Sequence, residues 1–254
     1  MRALVIQHDH VSPPGPVGDR LVARGYSLDL HVVVEEDNFH HPHLHNPFPD
    51  LTGVDLVVTM GAPWSAYDDA TVGAWVATEL DLLRTADRVG VPVLGICFGG
   101  QLLAAAHGGL VRRSDRAEIG WVRIDSDDPG LVAPGPWFQW HFDRWVTPPQ
   151  AREVARNEVA PQAFVLRRNL AVQFHPELTV AMLEGWYANG GDAKAVAAGA
   201  DPARMLEQTV AEEPVATARA HALVDVFLDD VARPLTAGDR APDTGRTDPR
   251  RAPP

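Results

Sequence analysis

The chain is poor in sulfur and in lysine. Cys97 is its only cysteine. No intrachain disulfide is possible, and a lone cysteine is either a small core residue or a nucleophile, depending on its surroundings. Lys194 is the only lysine, and acidic residues outnumber basic ones 34 to 22, for a formal net charge of −12. A field of that sign repels phosphate backbones and anionic headgroups, which argues against a general nucleic-acid or membrane-surface binder. No apolar run is long enough to span a bilayer. The opening Met1-Arg2-Ala3-Leu4-Val5-Ile6 has no small-residue cleavage site after it. It reads as a first strand and not as a signal peptide, so the expected compartment is the cytoplasm. No internal repeat is present.

Hydrophobic residues make up 45% of the chain, enough for a sizeable core. The first half alternates short β-branched runs with amphipathic stretches. Strands are expected at 3–7, 28–34, 55–60 and 91–96. Pro13 to Gly18 reads as a loop, followed by a helix over 19–25 that ends at glycine. Further helices are expected over 71–89 and from Gln101 to His107. Strand and helix in alternation, with short connections, imply an α/β domain whose parallel sheet is covered on both faces. The aromatic-rich middle, 118–146, reads as more β-like, and 170–174 as a further strand. Helices are expected over 178–187 and 202–231. One domain over 1–232 is expected, with 178–232 a mostly helical extension. From 233 onward Pro, Gly, Asp, Arg and Thr dominate, which predicts a disordered tail.

Ligands in such sheets sit at the carboxyl ends of strands. Gly61-Ala62-Pro63, Cys97 and His175 all fall at such ends. In Gly95-Ile96-Cys97-Phe98-Gly99-Gly100-Gln101 a buried strand runs into a sharp turn and then a helix, with glycines two residues either side of the cysteine. This is a nucleophile-elbow arrangement with cysteine in the serine position. The helix N-terminus favours a thiolate, and the Phe98 N–H is placed to stabilise an oxyanion. The alternative is a buried free cysteine beside an ordinary turn. Gln173-Phe174-His175-Pro176-Glu177 ends another strand. A thiol nucleophile needs a base, and the base needs a partner to orient it. Residues two apart in extended chain share a side, so His175 and Glu177 can align. Taken alone, such a turn can equally be structural.

Together, in this order, these two segments resemble the class I glutamine amidotransferases, those with a Cys-His-Glu triad. Met60-Gly61-Ala62-Pro63-Trp64-Ser65 is similar to that family's glycine-rich oxyanion segment. Glu118-Ile119-Gly120-Trp121, Trp140-His141-Phe142-Asp143 and Gln162-Ala163-Phe164 look like further family blocks. The resemblance spans roughly residues 1 to 190 and lies nearest the domains of GMP-synthase type. It implies a flavodoxin-like layered fold with a largely parallel central sheet flanked by helices. By the same resemblance Cys97 is the nucleophile, His175 the base and acid, and Glu177 its orienting partner. Backbone N–H groups of Ala62 and Phe98 form the oxyanion hole. Gly61, Gln101 and the backbone around Trp140, His141 and Phe142 hold glutamine. Ala62 stands where many relatives have glycine, and would be strained if its φ had to be positive. Phe142 stands where glycine or serine is common and narrows the pocket.

No segment looks like an ATP pyrophosphatase loop or a Gly-rich Lys-Ser/Thr phosphate loop. No cofactor or metal is expected, and an ammonia acceptor would lie on a separate synthase subunit. Three functions remain open. The first is a glutaminase feeding ammonia to that partner, which Gln101 and the block at Glu118 favour. The second is a γ-glutamyl amine or peptide hydrolase with the same triad. The third is a non-catalytic binding domain, against which the intact Cys97, His175 and Glu177 argue.

Other residues have plainer readings. His40, His41, His43 and His45 form either a solvated His/Pro loop or, less simply, a metal cluster. His8, Asp9 and His10 read as loop residues after the first strand, and Trp137, Trp140 and Trp145 as packing. Asp143 can position a local loop. Glu118 reads equally as a structural hydrogen bonder and as a substrate contact. Glu212-Glu213 and Asp229-Asp230 read as helix-surface charges.

Overall fold

The structure, a computed structural model, describes residues 1–233. The tail expected to be disordered therefore lies, apart from Arg233, outside the described residues. The chain runs β1 (Arg2–Gln7), α1 (Gly15–Ala23), β2 (Ser27–Val32), β3 (Leu56–Thr59), α2 (Asp69–Val89), β4 (Val93–Ile96) and α3 (Phe98–Ala106). It continues through β5 (Leu110–Ser126), β6 (Gly135–Val146), β7 (Arg152–Arg156), β8 (Pro161–Leu166) and β9 (Asn169–Val172). The helices α4 (Val180–Ala188), α5 (Gly191–Ala197) and α6 (Pro202–Val226) follow, and a π-helical turn, Phe227–Val231, prolongs the last.

The strands of the described residues form one sheet in the order β2-β1-β3-β4-β9-β8-β7-β5-β6. From β2 to β9 every pairing is parallel. Every residue of β3 and β4 is buried, as a continuous apolar run predicts for parallel strands covered on both faces. From β9 to β6 the pairings are antiparallel. The β-like middle of the sequence thus extends the parallel sheet, and does not form a separate layer.

Successive strand residues point to opposite faces, which divides the core in two. Ala3, Val5, Leu56 and Val58 belong to one cluster, closed by Val17 and Leu21 of α1 and by Leu223, Val224 and Phe227. Leu4, Ile6 and Val57 belong to the other, closed by Val72, Trp75 and Leu83 of α2 and by Phe98 and Leu102 of α3. The helical extension thereby completes the first layer, and a smaller cluster around Phe138, Leu183 and Met205 seats α4 to α6 on β6.

α2 and α4 start within two residues of the sequence pattern, while α1 and α3 start three or four residues early. α1 begins at Gly15, inside the expected loop, because Pro16 sits in the first turn, where a missing N–H costs nothing. α3 begins at Phe98, not Gln101, because the chain reverses at Cys97 itself. α5 was not apparent in the sequence. Gly190, at φ 85°, ends one helix and opens the next within a single residue.

Candidate active site

Cys97 directly follows β4, with φ 50° and ψ −106°. Positive φ is rare outside glycine and costs about 1–3 kcal/mol, so the rest of the turn must impose it. The neighbouring glycines show how. A Cβ on Gly99 would lie 2.1 Å from the Thr59 carbonyl oxygen, and one on Gly95 would lie 2.9 Å from the backbone of Gly99 and Gly100. β4 and α3 therefore pass at backbone contact. Cys97 N–H donates to Val172 O at 2.8 Å and Gly99 N–H to Met60 O at 2.9 Å, while Gln101 N–H closes the first helical turn on Cys97 O at 2.9 Å. The Phe98 N–H is left out of that set. Cys97 is 4% exposed, its Sγ 3.6 Å from Gln173 Nε2 and 4.0 Å from Trp140 O.

His175 follows β9 and is tied to β6 through its N–H to Phe138 O, 2.9 Å. Its Nδ1 lies 2.8 Å from Glu177 Oε1, both side chains being buried. A carboxylate at Nδ1 accepts a hydrogen bond from the Nδ1–H and leaves Nε2, which has no hydrogen-bond partner among the described residues, for chemistry. Burial works against the imidazolium. The Glu177 carboxylate and Cys97 outweigh it, and hold His175 well above the ordinary histidine value. Gly61 completes the convergence, because a Cβ there would lie 3.0 Å from His175 Cε1 and 3.8 Å from Cys97 Cβ. The three strand ends singled out in the sequence meet at one point.

The remaining candidates line the hollow into which Cys97 opens. Ala62, Phe98, Gln101, Trp140, His141 and Phe142 all border it. Gln101 is held by its Nε2, which donates to Asp143 O at 3.2 Å and Gln173 Oε1 at 3.4 Å. The His141 ring faces away, engaging Asp143 O at 2.9 Å and Glu118 at 3.1 Å, so His141 can offer the hollow only its backbone. Glu118 also accepts from Asn157 and Gln162, a structural role. Phe142 lies under the Arg113 guanidinium, 4.9 Å from ring centroid to carbon. Asp143 takes hydrogen bonds from Ser65 and, at 2.8 Å, from Tyr67, and so ties the loop after β3 to β6. Among the described residues only Cys97 and Arg167 are non-glycine residues with positive φ, so Ala62 carries no such strain.

Ala62 and Trp140 are shared with a second hollow, walled by Phe39, Trp186 and Lys194; Gly61 and His175 border this second hollow and not the first. Trp137 and Trp145 are buried in the core, as packing predicts. His40, His41 and His43 line a surface depression beside Lys194. No group of three or more potential metal ligands is found among the described residues. Glu213 is not merely a surface charge, since its carboxylate accepts from Val180 N–H at the start of α4.

Sequence reasoning passed over two residues. His8 lies in the loop after β1, as expected, but it is fully buried there and pairs at 3.0 Å with Glu79 of α2. The signal in the sequence was Glu79 itself. It falls on the buried stripe of α2 with Trp75, Val76, Leu82, Leu83 and Ala86, where an unpaired charge cannot remain.

Residues 17–184 match the profile of the family described as glutamine amidotransferase class-I. The chain belongs to that family. One subunit of the glutamine-hydrolysing GMP synthase of Sulfurisphaera tokodaii is 34% identical over 146 residues, 52% of this chain and 72% of that one. The GMP synthase of Parafrankia sp. is 40% identical over 98 residues, but the match spans only 18% of its length and 35% of this chain. Among solved structures, a glutamine amidotransferase from Methylobacillus flagellatus superposes with a TM-score of 0.77 at 28% identity, covering 93% of this chain and 97% of its own. One from Thermotoga maritima gives 0.77 at 26%, covering 91% and 99%. The amidotransferase profile ends before Trp186 and Lys194, yet both line the second hollow. No helix among the described residues is long and apolar enough to cross a membrane.

Proposed function

We propose that this amidotransferase hydrolyses the side-chain amide of glutamine at Cys97 and passes the ammonia to a synthase partner. The observation that carries the reading is the strained, buried Cys97 beside a buried His175–Glu177 pair. The Cys97 thiolate attacks the amide carbon, and the developing oxyanion is met by the N–H groups of Phe98 and Ala62. His175 Nε2 gives its proton to the leaving nitrogen, releasing ammonia and a glutamyl thioester. The now neutral imidazole takes a proton from water, whose oxygen attacks the thioester. Glutamate leaves and the thiolate is restored. Glu177 holds the ring in the tautomer that both steps need. Gln101 and the backbone of 140–142 border the place where the amino-acid end would sit. The partner follows from likeness to the GMP synthase subunit of Sulfurisphaera tokodaii. The chain spans well under a third of the undivided Parafrankia synthase, so no acceptor site is assigned to it.

A second reading has one observation in its favour. The aromatic hollow beyond His175 is larger than departing ammonia requires, and fits the amine half of a γ-glutamyl amide. Glutamate release from glutamine and from γ-glutamyl amines, each beside a Cys97→Ser control, separates the two. Release from glutamine that vanishes in the variant supports the glutaminase. Release from the amides alone replaces it with the hydrolase, and release from neither rejects both for the isolated chain.

A further inference from the structure

His8 and Glu79 lie outside the machinery described above, yet His8 touches its backbone. His8 follows β1, and its side chain and that of Glu79 are fully buried. Its Nδ1 lies 3.1 Å from the Gly61 carbonyl oxygen and its Nε2 3.0 Å from Glu79 Oε2. The Thr59 hydroxyl donates to the other Glu79 oxygen at 2.6 Å. A carbonyl can only accept, and an ionised carboxylate can only accept. Two acceptors at two ring nitrogens require two N–H groups, so the pair binds a proton that a neutral histidine beside a carboxylate would lack. Trp75 stacks on the ring at 5.5 Å, and Phe98 meets it edge-on at 4.9 Å. The charged or titratable groups around it are Glu79 on α2, the adjoining Asp9, and His31 on β2. Burial opposes the charge on His8, but Glu79 and the Gly61 carbonyl prevail and raise its titration point above the ordinary value.

The Gly61 carbonyl and the Ala62 N–H belong to one peptide plane. None of the described peptide bonds is cis. In a trans peptide these two groups point in opposite directions. Holding the carbonyl against His8 turns the N–H the other way, and Ala62 borders the hollow that contains Cys97. We propose that His8, held in place by Glu79, is a positioning residue that fixes the Gly61–Ala62 peptide so that the Ala62 N–H faces the oxyanion. A charge-assisted donor resists rotation of that peptide more strongly than a neutral one. The inference rests on the glutaminase reading for its kinetic consequence, though not for its geometry.

The test uses the full chain and two variants. His8→Phe/Glu79→Leu fills the site with apolar side chains, a replacement that buried ion pairs often tolerate. Glu79→Gln keeps a hydrogen bond and removes the charge. The expected result is kcat for glutamine lower by roughly 10- to 100-fold in the double variant, since loss of a whole oxyanion donor sets the upper end. KM should stay within about threefold, as for an interaction made only in the transition state. Alkylation of Cys97 by iodoacetamide should proceed at the wild-type rate, and the Ala62 amide resonance should move in both variants. An unmoved Ala62 amide overturns the proposal. So does an undiminished kcat, or a loss of alkylation that matches the loss of activity, because the pair would then merely support the whole site. If the double variant does not fold, Glu79→Gln carries the same outcomes. If wild-type protein leaves glutamine intact, the proposed function fails, and the Ala62 resonance by itself decides the positioning role.

Discussion

Cys97 holds a backbone conformation that side-chain-bearing residues avoid, and its glycine neighbours are too tightly packed to yield. Two stability predictions follow from that geometry. Cys97→Gly should be more stable than Cys97→Ala by about 1 kcal/mol in urea unfolding, because only glycine takes positive φ without strain. Equal stabilities would place the strain elsewhere. Gly99→Ala should lower stability by about 1–3 kcal/mol or more, since the new methyl group meets backbone, which cannot swing aside. A third prediction concerns His175. Burial lowers its titration point, while Glu177 and Cys97 raise it further. With the folded value raised, the stability it contributes is complete below the ordinary histidine range and is lost as pH rises through the folded value. Glu177→Gln removes the carboxylate and leaves burial dominant, so the His175 ring should titrate lower by NMR. Its kcat should fall roughly 10²- to 10⁴-fold, as for loss of an oriented general acid. The motif residues were readable because a turn this tight admits few residue types. His8 was not, because its role arises from Gly61 and Glu79, 53 and 71 residues away along the chain.

At the level of elements, α1 and α6 meet through charge as well as core packing. Asp225 accepts from Arg20 at 2.6 and 2.9 Å and from Arg24 at 2.6 Å, and Arg24 also bonds Asp229. The hydrogen bond from Arg20 comes first among the causes that hold the Asp225 carboxyl below its usual value. A depressed folded value means stability present above the ordinary carboxylate range and lost as pH falls through the folded one. Asp225→Asn should therefore lower Tm at neutral pH, and the gap from wild type should close as pH drops below about 4. Added salt should narrow the gap, because these charges are only part-buried and still reached by screening ions. A gap independent of pH and salt would show that shape and not charge matters there. The existence of α1, α2 and α6 was legible in the apolar spacing. The starts of α1 and α3 were not, since Pro16 and the reversal at Cys97 act through backbone geometry that periodicity does not record.

Across the whole molecule, the helices after β9 cover one face of the sheet, with Leu223, Val224 and Phe227 packed on the cluster that holds Val5 and Val58. Removal of residues 191–254 should accordingly expose that layer. The expected outcome is a chain that loses near-UV circular dichroism and binds a hydrophobic dye. A truncated protein with native near-UV signal would show that the sheet needs no such cover. The sequence by itself determined the strand–helix alternation, the cysteine elbow, the His-x-Glu turn and the family, because each depends on residues close together in the chain. Only the tertiary structure decided that the β-rich middle continues the sheet antiparallel, that Trp186 and Lys194 wall the second hollow, and that His8, paired with Glu79, reaches the Gly61 carbonyl. Those outcomes depend on which strand edge and which helix face meet, and local spacing carries no record of such long-range partners.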